Sequence, residues 1–240
     1  MNIAIIPARG GSKRIPRKNI KEFCGMPMIA YAITAAKESG LFEHIIVSTD
    51  DEEIARIANE YGAKTPFIRP AELANDFTPT NPVVSHAINA CREIGIYPDF
   101  VCCIYACVPL IQAADIEGTF NCLTSSNVDS CYPVTEFPSA PQRALKRASD
   151  GTMKYFYPEF RMTRTQDLEP AYYDAGQFYW GKTNAWLMKN NIAEGIGYEI
   201  SNSRVVDIDT PEDWKRAELY FQIVKGEVPP INSLPRVTYN

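Results

Sequence analysis

Short apolar segments that alternate with helical segments constrain the fold of this 240-residue chain more than any other feature. Residues 2–7 form the first apolar segment, which ends at Pro7 and is followed by the pair Gly10-Gly11, so a buried strand is predicted there. Strands that alternate with helices of this length are typical of a mostly parallel, doubly wound α/β sheet with helices on both faces. The length suits one such domain.

The remaining elements continue this alternation. Helices are predicted at 27–36, at 54–61 behind an Asp50-Glu53 capping box, at 82–94, 114–125 and 183–188, and after an N-cap at Thr210, with Trp214, Ala217, Phe221 and Val224 as its buried stripe. Strands are predicted at 44–48, 65–68, 100–105, 128–134, 177–180 and 205–208.

Two segments lack this pattern. Residues 137–174 are rich in Pro, Arg and Tyr and have no helical period, so they are predicted to form a dimerisation arm of irregular strands, inserted in a single domain that spans 1–240. The tail after Gly226 contains three prolines and is predicted to be extended.

Composition excludes several classes of protein. The seven cysteines are odd in number and the histidines are only two, so a disulfide framework or a zinc site is a poor interpretation. No apolar stretch is long enough to cross a membrane, and a cytoplasmic location is expected. The net charge of −5 argues against general nucleic-acid binding.

Positive charge is nevertheless concentrated near the N-terminus. Six basic residues precede the first acidic residue, Glu22: Arg9, Lys13, Arg14, Arg17, Lys18 and Lys21. They follow the first predicted strand, at the edge of the sheet where ligands bind in open α/β folds. The loop lacks the spacing of a dinucleotide fingerprint or a Walker P-loop. A small polyanion such as a triphosphate fits this patch, and a solvated basic loop is the alternative.

The loop 8–19, Ala-Arg-Gly-Gly-Ser-Lys-Arg-Ile-Pro-Arg-Lys-Asn, resembles the signature loop of the CMP-sugar synthetases that act on sialic acids and 3-deoxy-manno-octulosonic acid. These enzymes belong to the wider group with the nucleotide-diphospho-sugar transferase fold. The resemblance continues in order through 47–50, 69–76 and 207–209 and so covers nearly the whole chain. Segments 134–137, 142–145, 173–181 and 207–214 resemble the pseudaminic acid branch most closely.

The resemblance implies a magnesium-dependent cytidylyltransferase that joins CMP from CTP to a nonulosonic acid and releases pyrophosphate, with a homodimer as the assembly. It implies that Arg9 and Lys13 contact the triphosphate and, with Asp209, act in catalysis. The implied nucleotide-binding residues are Ala8, Gly10, Gly11, Ser12, Lys18, Asn19, Arg69 and Thr80. Arg14 and Arg17 have less support and are interpreted as surface residues.

Asp207 and Asp209 are the implied ligands of Mg²⁺. Their separation by one residue places both side chains on one side of a predicted strand, while Ile208 faces the core. Two carboxylates on one face can share a magnesium ion with water and phosphate oxygens. A capping role for Asp209 near Thr210 is an alternative that is compatible with metal binding.

A carboxylated sugar requires cationic or multidentate donors, and the candidates in the arm are Arg143, Arg164 and Gln166. Tyr173 stands where the sialic acid enzymes carry an arginine, and Tyr105-Ala106-Cys107 replaces their Gln-Pro-Thr. These departures argue against N-acetylneuraminic acid and add Tyr105, Tyr173 and Gln177 to the sugar-binding candidates.

Other functions remain open on the residues alone. They are a synthetase for legionaminic or another nonulosonic acid, a different nucleotide-sugar pyrophosphorylase, and a noncatalytic nucleotide-binding module.

Overall fold

The computed structural model describes residues 1–188 and 192–226, apart from the side chain of Ala193. The tail predicted to be extended after Gly226 lies outside these residues. The strands are β1 (Asn2–Pro7), β2 (Glu22–Phe23), β3 (Met26–Pro27), β4 (His44–Ser48), β5 (Phe100–Ile104), β6 (Ser130–Glu136), β7 (Leu145–Arg147), β8 (Met153–Tyr155), β9 (Tyr172–Asp174), β10 (Phe178–Lys182) and β11 (Ile196–Glu199). The helices are α1 (Met28–Glu38), α2 (Glu52–Glu60), α3 (Thr80–Glu93), α4 (Ala113–Thr124), α5 (Thr183–Leu187) and α6 (Pro211–Lys225).

A seven-stranded sheet organises the chain, in the order β11-β6-β10-β5-β1-β4, with β9 also paired to β6. Strand β1 lies between β4 and β5 and is parallel to both. Strands β9 and β10 run antiparallel to their neighbours, so the sheet is mostly parallel, as predicted. The carboxyl ends of β4, β1 and β5 therefore meet at one edge, where the loops that follow these strands lie side by side.

Alternate side chains of β1 are buried on opposite faces of the sheet. Ala4 and Ile6 join a core cluster that contains residues of α1, α2 and α4. Ile3 and Ile5 join a second cluster that contains residues of α3 and α5. Because both faces are covered by helices, β1 reads as a continuous apolar segment rather than an alternating one. The predicted doubly wound α/β fold is confirmed.

Two predicted strands are wrong. Residues 65–68 form no strand. The chain contacts β4 only through a bridge between Ile46 and Lys64, and Pro66, which lacks a backbone N–H donor, follows two residues later. Residues 205–208 also lie outside the sheet. Ile208 is buried against Phe23 and Trp214, in a separate cluster, rather than against neighbouring strands.

The predicted capping box at Asp50 and Glu53 is also wrong. The cap of α2 is Asp51, whose carboxylate accepts a hydrogen bond from the Ile54 backbone N–H at 2.9 Å. Asp50 is left to accept a hydrogen bond from the backbone N–H of Gly10 at 3.0 Å. Because Asp51 rather than Asp50 caps α2, the side chain of Asp50 contacts the basic loop.

The arm, residues 137–174, contains the short strands β7, β8 and β9 together with three 3-10 helices, at Pro141–Arg143, Pro158–Phe160 and Thr165–Asp167. Strands β7 and β8 form an isolated hairpin, and β9 returns the chain to the central sheet. The arm also exposes large apolar side chains, such as Met162, which is 84% exposed. Packing of this arm on a second subunit stays a prediction.

Helix α6 has the predicted start. The Thr210 hydroxyl accepts from the backbone N–H of Asp213 at 3.2 Å, and the Asp213 carboxylate accepts from the backbone N–H of Thr210 at 2.8 Å. Trp214 and Ala217 are buried, but Val224 is exposed, contrary to the predicted stripe, because it lies in the last turn beyond the core. Among the described helices, none combines the length and apolar character that a membrane crossing requires.

Replacing Thr210 with Ala should destabilise the protein, because one N-terminal donor of α6 loses its acceptor. We expect the free energy of unfolding to fall by about 1 kcal/mol, measured by urea denaturation followed by circular dichroism. Ser149→Ala, at an exposed turn position, is the control. An unchanged midpoint in Thr210→Ala would contradict the role assigned to this capping box.

Candidate active site

A cavity of about 830 Å³ opens at the edge of the sheet where β1, β4 and β5 end. Its wall is formed by the loop after β1, segment 69–80, the residues after β5, segment 173–176, segment 205–209 and α6. Most of the predicted site residues line it: Arg9, Ser12, Lys13, Lys18, Asn19, Arg69, Thr80, Tyr105, Tyr173, Asp207 and Asp209. Residues distant in sequence therefore converge on one site.

The other candidates lie away from the cavity wall. Ala8, Gly10 and Gly11 belong to the loop but do not line the cavity, and Gln177 is buried behind it. Arg143, Arg164 and Gln166 lie on the arm and do not line the cavity of this subunit. Their sugar-binding role stays a prediction that depends on the arm of a second subunit.

Gly10 is required by packing. A Cβ atom at this position would lie 2.7 Å from an oxygen of the Asp51 carboxylate. Any residue other than glycine would therefore force Asp51 to move. The same carboxylate accepts hydrogen bonds from Arg17, whose guanidinium holds the pKa of Asp51 below its ordinary value. Gly11 meets no such obstacle. The contact of Arg17 with Asp51 thus joins the loop after β1 to the N-terminus of α2.

Asn19 fixes the loop from within. Its side-chain amide donates to the backbone carbonyl of Arg9 at 2.9 Å, and its side-chain oxygen accepts from the thiol of Cys107 at 3.2 Å. Lys18 reaches the other wall, where its ammonium donates to the carbonyl of Ile208 at 2.7 Å. These bonds join the loop to the end of β5 and to segment 205–209.

Asp76 is a functional residue to which sequence reasoning assigned no role. Its carboxylate pairs with the guanidinium of Arg9 and, at 2.5 Å, with the ammonium of Lys13. Hydrogen bonds from Lys13 and Arg9 lower the pKa of Asp76. The signal was its place in motif 69–76, but its partners lie more than 60 residues earlier. Asp76 thus provides counter-charge to both predicted triphosphate contacts.

Arg69 places a buried positive charge in the cavity wall. It is 4% exposed, and its guanidinium donates to the hydroxyl and the carbonyl of Ser48 rather than to a carboxylate. Burial lowers its pKa to about 10, so it remains protonated at neutral pH. A buried guanidinium without a carboxylate partner is suited to an electron-rich ligand oxygen.

Asp207 and Asp209 both line the cavity, while Ile208 between them is buried. The extended backbone produces this alternation even though the segment is not a sheet strand. Asp209 pairs with Arg14 at 2.9 Å and Lys18 at 3.4 Å. Arg14 is exposed, in agreement with its interpretation as a surface residue, and it also lines the cavity. Burial and the neighbouring Asp209 charge raise the pKa of Asp207.

This donor set fits a divalent cation, because bound positive charge would relieve the repulsion between the two carboxylates. In the part of the chain that the structure describes, no group of three or more His, Cys, Asp or Glu side chains converges as a metal site. Water and ligand oxygens would have to complete the coordination. The alternative that Asp209 caps α6 is wrong, because the N-cap is Thr210 and Asp209 only donates its backbone N–H to the Asp213 carboxylate at 3.2 Å.

Tyr105 and Tyr173 contribute a part of the cavity wall that is called the tyrosine wall below. The Tyr105 hydroxyl lies 3.1 Å from the hydroxyl of Thr80. Tyr173 accepts a hydrogen bond from Asn202 at 2.7 Å and packs on Phe137, with ring centroids 4.8 Å apart. Gln177 donates to the carbonyl of Arg204. Tyr105 and Tyr173 can reach a ligand, whereas Gln177 supports the wall from behind.

The fold and this cavity define a nucleotide-binding α/β protein with a cationic anion site and a carboxylate pair. Comparison with protein families narrows the class, because the model described as "Cytidylyltransferase" matches residues 3–217. The chain belongs to the cytidylyltransferase family, and the expected enzyme class is confirmed.

Individual relatives agree with this assignment. The chain is 38% identical to a pseudaminic acid cytidylyltransferase of Campylobacter jejuni subsp. jejuni (strain 81-176), over 92% of this chain and 97% of the relative. It is 30% identical to the CMP-N,N'-diacetyllegionaminic acid synthase of Legionella pneumophila, over 92% and 96%. A solved CMP:2-keto-3-deoxy-manno-octonic acid synthetase complexed with CTP matches 95% of this chain and 99% of its own, with a TM-score of 0.69 and 16% identity, which supports the fold.

Replacing Asp76 with Asn should strengthen the binding of inorganic triphosphate. Asp76 occupies the cations that an oligophosphate would use, so removing its charge removes a competitor. We expect a Kd about two- to fivefold lower, measured by isothermal titration calorimetry at fixed ionic strength.

The control for this prediction is Asp129→Asn, which removes an exposed carboxylate paired with Lys182 at the opposite edge of the sheet. Weaker triphosphate binding in Asp76→Asn would show instead that Asp76 holds Arg9 and Lys13 in their binding positions.

Proposed function

We propose that this chain is a magnesium-dependent enzyme that transfers CMP from CTP to pseudaminic acid and releases pyrophosphate. The observation that carries the proposal is the convergence of Arg9, Lys13 and Arg69 with Asp207 and Asp209 on one cavity. The identity to the Campylobacter jejuni pseudaminic acid cytidylyltransferase, over almost the full length of both chains, supports this choice of sugar.

The cations of the loop stabilise the reacting phosphates. In-line attack by the anomeric hydroxyl of the sugar on the α-phosphate leaves negative charge on the phosphate and on the departing pyrophosphate. Arg9 and Lys13 neutralise this charge from one side, and Lys18 approaches from the side of segment 205–209. Positioned cations of this kind need no reorganisation during the reaction.

Asp207 and Asp209 are the residues that would hold the magnesium ion. When bound, Mg²⁺ polarises phosphate oxygens and assists deprotonation of the attacking hydroxyl. Arg14 and Lys18, which already contact Asp209, hold this carboxylate in the cavity wall. Neither histidine of the chain lines the cavity, so the described lining residues offer no imidazole as a general base.

The tyrosine wall is assigned to the sugar. Tyr105 and Tyr173 line the cavity at positions where this chain departs from the sialic acid enzymes. The carboxylate of the sugar would be bound by Arg143, Arg164 or Gln166 of a partner's arm in a homodimer. The exposed apolar residues of the arm support such an interface, among them Met153, Phe156 and Met162. A cytoplasmic location belongs to the same proposal.

The proposal is tested by pyrophosphate release from CTP and Mg²⁺ with pseudaminic, legionaminic or N-acetylneuraminic acid supplied separately. We expect release with pseudaminic acid at the highest kcat/KM. A preference for legionaminic acid would retain the chemistry and overturn the assignment of the sugar. Tight CTP binding without release for any sugar would support a noncatalytic module, and a preference for UTP or ATP over CTP would indicate a different pyrophosphorylase.

Asp209→Asn should abolish most of the activity, because it removes one charge of the predicted metal pair. We expect kcat/KM for CTP to fall by at least about a hundredfold, and the Mn²⁺ affinity of the CTP-bound protein to fall in electron paramagnetic resonance titrations. Asp129→Asn is the control. Retained full activity in Asp209→Asn would contradict the metal assignment.

A further inference from the structure

Two hydrogen-bonded pairs of polar side chains lie along the tyrosine wall. The Tyr179 hydroxyl donates to the Asp174 carboxylate at 2.6 Å, and Tyr105 and Thr80 share a hydrogen bond of 3.1 Å between their hydroxyls. The rings of Tyr105 and Tyr179 are in edge contact, with centroids 5.5 Å apart. Asp174, Tyr105 and Thr80 line the cavity, whereas Tyr179 lies behind it.

The backbone explains how Asp174 reaches this position. It ends β9, and Gly176, with a φ of +62°, turns the chain before β10 begins. The second oxygen of the Asp174 carboxylate accepts from the backbone N–H of Gly176 at 2.8 Å, which fixes the side chain over the turn. Glycine adopts this backbone conformation without strain. Tyr179, five residues further along, then meets the same carboxylate from inside the sheet.

The Asp174 carboxylate is the acceptor in both of its hydrogen bonds, from the Tyr179 hydroxyl and from the Gly176 backbone N–H. Either hydroxyl can be the donor in the bond between Tyr105 and Thr80, and a hydroxyl oxygen can also accept from a ligand. Among the described residues no Lys or Arg forms an ion pair with Asp174, so its charge is balanced by these donors alone.

This part of the wall selects its ligand by chemistry. The exposed Asp174 carboxylate and the Tyr105 hydroxyl both line the cavity. A ligand surface that carries O–H or N–H donors would pair with the carboxylate, whereas an apolar or acceptor-rich surface would cover it without such a partner. The basic loop, which also lines the cavity, has the reverse preference.

We propose that Asp174 is a specificity-determining residue for the sugar, and that Tyr179 is a positioning residue that holds the Asp174 carboxylate in place through its hydroxyl. The inference rests on the proposed cytidylyltransferase function and extends it by naming the groups that are recognised: hydroxyl or amide N–H donors on the sugar. Asp174 recognises them directly, and the Tyr105 hydroxyl, which lines the same cavity, can also accept from them.

Steady-state kinetics of Asp174→Asn and Tyr179→Phe test this proposal, with CTP and pseudaminic acid varied separately. We expect each variant to raise the KM for the sugar about tenfold, the effect of one lost charge-assisted hydrogen bond. The KM for CTP should change at least fivefold less. A purely structural defect would raise both KM values together or lower the melting temperature, so the ratio of the two KM changes identifies the role.

Asp129→Asn and Tyr97→Phe are the matched controls, because both residues are exposed and lie outside the cavity wall. If Asp174→Asn does not fold, the result for Tyr179→Phe alone tests the inference. This variant keeps the Asp174 carboxylate and removes only the hydroxyl that donates to it. If the wild type is active and both variants have the same KM for the sugar as the wild type, this inference is overturned and the proposed function stands. A wild type inactive with every sugar would overturn both.

Discussion

Balance of charge in the loop after β1 is the constraint on which the rest of the site depends. The central strand carries a strongly basic loop to the edge of the sheet, where the cations would repel one another without counter-charge. Carboxylates from three separate segments supply it: Asp50 and Asp51 after β4, Asp76 after the Arg69 motif, and Asp209 before α6. The topology of the sheet brings these segments together, and the ion pairs then hold them around one cavity.

These ion pairs divide into two kinds. The contacts of Asp51 with Arg17 and α2 are structural, because the same carboxylate caps the helix and excludes a side chain at Gly10. The contacts of Asp76 and Asp209 face the cavity, where phosphate groups and a divalent cation would compete for the same partners. A ligand that brings both signs of charge, such as a nucleoside triphosphate with its metal, can exchange these pairs without leaving an uncompensated charge.

Elements that depend on local sequence signals were predicted correctly, whereas contacts between residues far apart in the sequence were not. Strand β1 and the cap of α6 were predicted correctly because an apolar run and a Thr-Pro-Glu-Asp sequence act over a few residues. Segment 205–208 shares its extended backbone with a strand, and only its packing partners, Phe23 and Trp214, distinguish the two. The pairing of Asp76 with Arg9 spans 67 residues and has no local pattern. The arm candidates, Arg143 among them, do not line the described cavity, so their role in sugar binding stays a prediction.

A crystal structure with CTP and Mn²⁺, analysed by anomalous scattering, tests the central claim most directly. The account predicts an anomalous peak within coordination distance of Asp207 and Asp209. It also predicts that the triphosphate contacts Arg9 and Lys13 and that Asp76 is displaced from them. A manganese peak elsewhere, or a triphosphate bound away from the loop after β1, would contradict the view that charge exchange at this edge of the sheet builds the active site.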